Sequence, residues 1–181
     1  MSTTGARRDP LAVLRRVIAE GNWVAIDTET TDLGPRAEIV ELALVGADGH
    51  EYETLVRPRG EVSRLAAQVH HIDPVELGLA PTFSQIAAEV RRWLARRTLL
   101  GYNVDFDRQV LWRAFAQVVQ PAPRCRWLCL CDLVTRWAGS RMPLDAALDA
   151  VGLAHEGPRH RAAADARAVA ALARALAMRS W

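Results

Sequence analysis

A chain of 181 residues, half of them apolar and with a net charge of +2, suits one globular domain with a sizeable core. No apolar run reaches the roughly 20 residues of a membrane span, and the opening "MSTTGARRDP" has no signal stretch, so the cytoplasm is the expected compartment and no membrane partner is expected. The 23 basic residues are all arginine, yet so balanced a charge excludes a long basic tail; any phosphate-binding surface has to be local.

In chain order, residues 1–21 read as a helical extension: Asp9 as a cap, Pro10 in the first turn and Gly21 beyond the end. Strand-like stretches follow near Trp23 to Asp27, Glu38 to Val45 and Glu51 to Val56, the last two joined by the turn residues of "GADGH". The segment from Arg57 to Pro81 reads as irregular. Thr82 and Gln85 form a capping box for a helix presenting Phe83, Ile86, Val90 and Leu94 on one face. The short strand "TLLGY" leads to a helix starting near Asn103 or Asp105, another strand through "RWLCLCDL" ends near Cys131, and the remainder reads as helical to Arg179. Three strands joined by short turns, then strand and helix alternating, predict an α/β domain with a mixed sheet.

Cys125, Cys129 and Cys131 are too few and too close for a disulfide framework. A zinc site would need a fourth ligand such as His155; the plainer reading is three small buried hydrophobes.

Charge raises the main question. In "VAIDTETTD" strand alternation puts Trp23, Ala25, Asp27 and Glu29 on one face, so a buried strand ends in two carboxylates. The apolar stripe Leu111, Ala114, Val118 of the following helix, extended back by four residues, reaches Asp107. The stripe Val169, Leu172, Leu176 of the last helix leads back in the same way to Asp165. Each acid alone has an ordinary explanation: a strand end in water, a helix start, or a partner such as Arg161 or Arg167. Four together need a common cause, because gathered carboxylates repel unless cations sit among them. Hard divalent metals with oxygen ligands supply such cations.

"VAIDTETTDL", "GYNVDFDRQVL" and "HRAAADA" resemble, in order and spacing, the three motifs of the DEDDh-type 3′→5′ exonucleases, the superfamily of the bacterial replicative polymerase's proofreading epsilon subunit, ribonuclease T and oligoribonuclease. The resemblance runs from about Trp23 to Leu176 and implies a ribonuclease-H-like mixed five-stranded sheet with flanking helices, the whole chain being a single exonuclease domain. It implies that Asp27, Glu29, Asp107 and Asp165 hold two magnesium or manganese ions, which in such sites lie about 4 Å apart, lower the pKa of a water and stabilise the leaving 3′ oxygen. His160, five residues before Asp165, matches the general base. By the same resemblance, backbone near Thr30 holds the terminal 3′ hydroxyl and Leu33 packs on the last base. His70, in the family-like segment "AQVHHID", and Asn103 complete the implied substrate contacts.

Two positions depart from the family pattern. Asp32 stands where glycine is usual and either tightens the turn or brings a negative charge near phosphate; Tyr102 stands where histidine is common and either stacks or packs. The sequence stops soon after its last helix, so stable polymerase association is unsupported. The expected activity is release of nucleoside 5′-monophosphates from single-stranded 3′ ends, DNA before RNA. An exoribonuclease acting on short RNA, and a catalytically silent binding module of the same fold, stand as the alternatives.

Overall fold

The computed structural model describes residues 9–179. The elements are α1 (Ala12–Glu20), β1 (Trp23–Thr30), β2 (Ile39–Gly46), β3 (Glu51–Leu55), α2 (Arg64–His70), α3 (Pro74–Leu79), α4 (Phe83–Leu94), β4 (Thr98–Gly101), α5 (Asp105–Gln117), β5 (Arg126–Cys129), α6 (Leu130–Ala138), α7 (Leu144–Ala150) and α8 (Ala162–Ala177). The five strands form one sheet in the order β3-β2-β1-β4-β5. The hairpin-linked β1, β2 and β3 pair antiparallel, while β4 and β5, each reached through a helix, join parallel to β1. This is the mixed sheet that the order of elements predicts, and the five-stranded ribonuclease-H-like one that the family resemblance implies.

Strand alternation sorts the core into two layers. Trp23, Ala25, Ala43 and Val45 face α1 and α6 to α8, whereas Val24, Ile26, Leu42 and Leu44 face α4 and α5. Helix α8 meets the sheet through alanines, the strongest helix formers and the smallest side chains that still bury apolar surface. Leu14 and Val17 of α1, and Leu11 just before it, are buried in that same layer, with Asp9 Oδ1 accepting from Leu11 N–H and Gly21 closing the helix at φ 66°. The first eight residues of the predicted extension lie outside the described residues. Thr82 N–H donates to Gln85 Oε1 at 2.8 Å, as the capping box predicts for α4.

Two expectations are corrected. The stretch between Arg57 and Pro81 holds α2 and α3, capped by Ser63 and Asp73; at seven and six residues they are too short for an apolar period to show. The strand through "RWLCLCDL" stops at Cys129 and Leu130 opens α6, so Cys129 and Cys131 do not share a strand face. All three cysteines are free, and among the described residues they join no metal-like cluster. No described helix is long and apolar enough to cross a membrane.

Candidate active site

The carboxyl end of β1 is where helices from both layers arrive. From one side comes α5, whose buried residues are Asp107, Val110, Leu111 and Phe115. Its seam therefore includes Asp107 as predicted, but runs through Val110 and Phe115, with Ala114 and Val118 only partly buried. Gly101 allows the approach: a Cβ there would lie 2.9 Å from Val104 Cγ1 at the start of α5. From the other side α8 brings Asp165, whose side chain is 16% exposed. Asp27 and Glu29, half-buried on β1, lie between them.

Burial and crowding raise the proton affinity of this group. Burial first, then Asp107, Asp165, Glu29 and Glu41, hold Asp27 well above the usual carboxylate range. Glu29 is pushed up to about 8 by burial and by Asp165, Glu41 and Asp107, with Arg161 opposing. Asp107 is pushed up to about 7 by burial, although the Thr28 hydroxyl donates to its Oδ1 at 2.7 Å and pulls the other way. The arginine nearest the acids is already engaged. Arg161 grips Glu41 with Nη2 at 2.7 Å and Nε at 3.1 Å from Oε1, and Ala162 N–H donates to Oε2 at 2.8 Å. Arg167 is taken by Glu51. Asp27, Glu29, Asp107 and Asp165 thus offer carboxylate oxygen, and among the described residues no arginine forms an ion pair with any of them, which fits hard divalent ions.

Asp165 finds a partner that sequence reasoning missed. Its Oδ1 lies 2.6 Å from Nε2 of His155, the buried histidine weighed above as a zinc ligand, and its Oδ2 accepts from His160 N–H at 3.2 Å. His160 occupies a left-handed corner at φ 57°, uncommon for a residue with a side chain, immediately before α8. Its ring, a carboxylate oxygen of Glu29 and one of Asp165 lie within 4.8 Å of one another. Glu41 was also missed. It is fully buried, sits opposite Glu29 in the β1–β2 register and clamps the start of α8 through Arg161. A lone glutamate inside the otherwise apolar "IVELALV" was the signal.

A cleft of about 410 Å³ opens beside the acids, lined by Asp27, Glu29, Thr30, Asp32, Leu33, His70, His160 and Asp165 together with Leu65 and Val69 of α2. Leu33 is 84% exposed in it. Asp32 tightens the turn: its Oδ1 accepts from Leu33 N–H and its carbonyl from the Thr30 hydroxyl, both at 2.7 Å. His70 is buried and accepts from Ile72 N–H through Nδ1, leaving Nε2 without a partner. Asn103 departs from expectation. It does not line the cleft but turns the chain at φ 70° and accepts from Arg141. Tyr102 packs rather than stacks, with its hydroxyl donated to Met142 O at 2.6 Å.

Residues 24–173 match the family described as Exonuclease. The chain belongs to this exonuclease family. It is 29% identical over 174 residues to an uncharacterized exonuclease, CP81, of Escherichia phage 186, covering 87% of this chain and 89% of that protein. Among solved structures it is similar to Exonuclease X in complex with 5′ overhanging duplex DNA, at 25% identity and TM-score 0.68, covering 86% of this chain and 90% of that one. It also shares its fold with the nuclease domain of 3′hExo, a DEDDh family member bound to rAMP, at 20% identity and TM-score 0.71, covering 83% and 88%. The exonuclease domain spans less than half the length of several other curated relatives, RNA exonucleases and PolC-type DNA polymerases among them.

Proposed function

We propose that this exonuclease domain removes nucleotides from the 3′ end of single-stranded nucleic acid, DNA before RNA, and releases nucleoside 5′-monophosphates. The observation that carries the reading is the convergence of Asp27, Glu29, Asp107 and Asp165 beside His160 at the end of one strand. The four acids would hold two Mg²⁺ or Mn²⁺ ions, which when bound neutralise the carboxylates and phosphate and acidify a water. His160, on its exposed corner, is placed to accept the proton of the attacking water. As that water's oxygen bonds to phosphorus, the bond from phosphorus to the 3′ oxygen of the preceding nucleotide breaks. That oxygen takes up a proton as the new 3′ hydroxyl, and the phosphate stays on the released nucleoside. Burial lowers the pKa of His70, so its ring is neutral; with Nδ1 accepting, the free Nε2–H offers a donor to a substrate oxygen. Leu33, exposed on a turn held by Asp32, is placed to pack against the terminal base. The RNA exonucleases among the relatives favour a second reading, in which the strand is RNA.

The test is hydrolysis of 5′-labelled DNA and RNA single strands side by side with Mg²⁺. The proposal expects a descending ladder, a block by 3′-phosphate and silence in excess chelator. Cleavage of circular single strands, or full activity in chelator, overturns it.

A further inference from the structure

The opposite end of the sheet carries the other charge. Where β1, β4 and β5 begin, Arg96, Arg97, Arg124 and Arg126 line an open depression of about 420 Å³, with Glu20 its only acid. Backbone contacts fix the two arginine-bearing segments against each other: Arg96 N–H donates to Arg124 O at 2.8 Å and Arg126 N–H to Arg97 O at 3.0 Å. The Asn22 carboxamide holds Arg96 O at 3.0 Å while Arg96 itself stands at φ 62°, a conformation uncommon for a residue with a side chain. Arg97 lies over the Trp93 ring, 5.5 Å from its centroid.

Among the described residues none of these four arginines forms an ion pair, whereas Arg15, Arg92, Arg108, Arg159, Arg161 and Arg167 all do. Four guanidinium groups gathered with a single acid, Glu20, among them carry excess positive charge and attract an anion. Their planar forks match phosphate oxygens, and their spread over two segments suits successive phosphates better than one small ion. We propose that this depression is a second nucleic-acid site, holding backbone phosphates of the strand whose 3′ end lies at the carboxylates. The inference rests on the function proposed above. Seven residue steps along β1 lead from Asn22 to Glu29, roughly 23 Å at the strand rise of about 3.3 Å. At the stacked spacing of about 3.4 Å per nucleotide of a B-form strand, that separation corresponds to about seven nucleotides, and the path around the surface is longer than the straight line through β1. Oligonucleotides shorter than this reach only the cleft; longer ones engage both ends.

The experiment uses the magnesium-loaded enzyme and the variant R96Q/R124Q/R126Q, whose three side chains are exposed and belong to no part of the cleft. KM and kcat are measured on 5-nucleotide and 20-nucleotide single strands across a salt series. The parent is expected to have the lower KM on the 20-mer. The variant should raise that KM about tenfold at low salt, leave kcat and the 5-mer KM unchanged, and flatten the salt slope by about 2, since about 0.7 of a counterion is released per phosphate. A 20-mer KM and slope equal to the parent's overturn the site. So does a site for small anions only: inorganic phosphate raising the parent's melting temperature but not the variant's, with the 20-mer KM unmoved. Should the parent hydrolyse neither length, the proposed function fails instead, and a gel shift of the 20-mer with both proteins decides the arginine site alone. Equal melting temperatures exclude misfolding; a lower one passes the test to R124Q.

Discussion

The two ends of β1 handle charge in opposite ways. At the carboxyl end acids are drawn into the fold, so burial shifts their protonation and only Arg161 comes near them. At the amino end Arg96, Arg124 and Arg126 are exposed and, among the described residues, form no ion pair. A net charge of +2 conceals this separation. Charge that costs folding energy is concentrated where chemistry needs it, and charge that costs little is left where binding needs it.

The contrast breaks most completely at Asp27. Asp27→Asn should abolish hydrolysis while raising the melting temperature of the metal-free protein by a few degrees, about 1 kcal/mol of relieved repulsion at roughly 2–4 °C per kcal/mol. A metal-free protein that melts earlier than the parent shows that the acids do not strain the fold. His160→Ala comes next, with turnover down by about 10²–10⁴ and Mn²⁺ affinity unchanged, because the base is lost and the carboxylates remain. Titration of Mn²⁺ by calorimetry checks the second half; lost affinity makes His160 a ligand.

Much of this site is legible in the sequence. Asp107 and Asp165 follow from carrying an apolar stripe back one turn, and Asp27 and Glu29 from strand alternation. The mixed character of the sheet follows from short turns giving way to helical connections, whereas the order of its strands is read from the structure. Glu41 and His155 were not legible as site residues. Arg161 grips Glu41 across 120 positions, and His155 meets Asp165 only because the loop before α8 folds back over the helix start. Nor did local sequence show that Asn103 turns away to Arg141, since a side chain's direction at a left-handed corner depends on what surrounds it.

Arg161→Ala sharpens the comparison by stranding the buried Glu41. Removing one partner of a buried pair costs about 3 kcal/mol or more, which lowers the melting temperature by roughly 6–12 °C in a domain of this size. With the corner before α8 no longer clamped, turnover should fall by up to about 10²-fold. Glu41→Gln, which keeps an acceptor for Ala162 N–H, should do less on both counts. Equal losses in the two variants place the effect elsewhere than in the stranded charge.

The pH dependence of the metal-free fold is a separate test. Burial and neighbouring acids raise Glu29 to about 8, and burial raises Asp107 to about 7, from the ordinary carboxylate range of about 4, so between those limits the folded chain binds more protons than the unfolded one. Their contribution is complete below about pH 4 and is lost as pH rises through 7 to 8. The melting temperature should therefore decline between pH 5 and 8.5 in chelator, and Mn²⁺ should reverse the decline. A metal-free melting temperature that rises over this range contradicts the raised affinities.

The clamp on Glu41 also bears on how the sheet finds its alignment. Strand β2 pairs Glu41 with Glu29, two like charges directly opposite, an arrangement that sheets disfavour. A slip of one residue would turn Glu41 to the α4–α5 layer, among Ile26, Leu44 and Val90 and away from Arg161 and Ala162 N–H. The observed alignment, with both glutamates on the α8 side, lets Arg161 and Ala162 N–H answer Glu41. A one-residue slip would separate that carboxylate from both partners, so the contact that steadies the start of α8 also favours the register that brings the acids together.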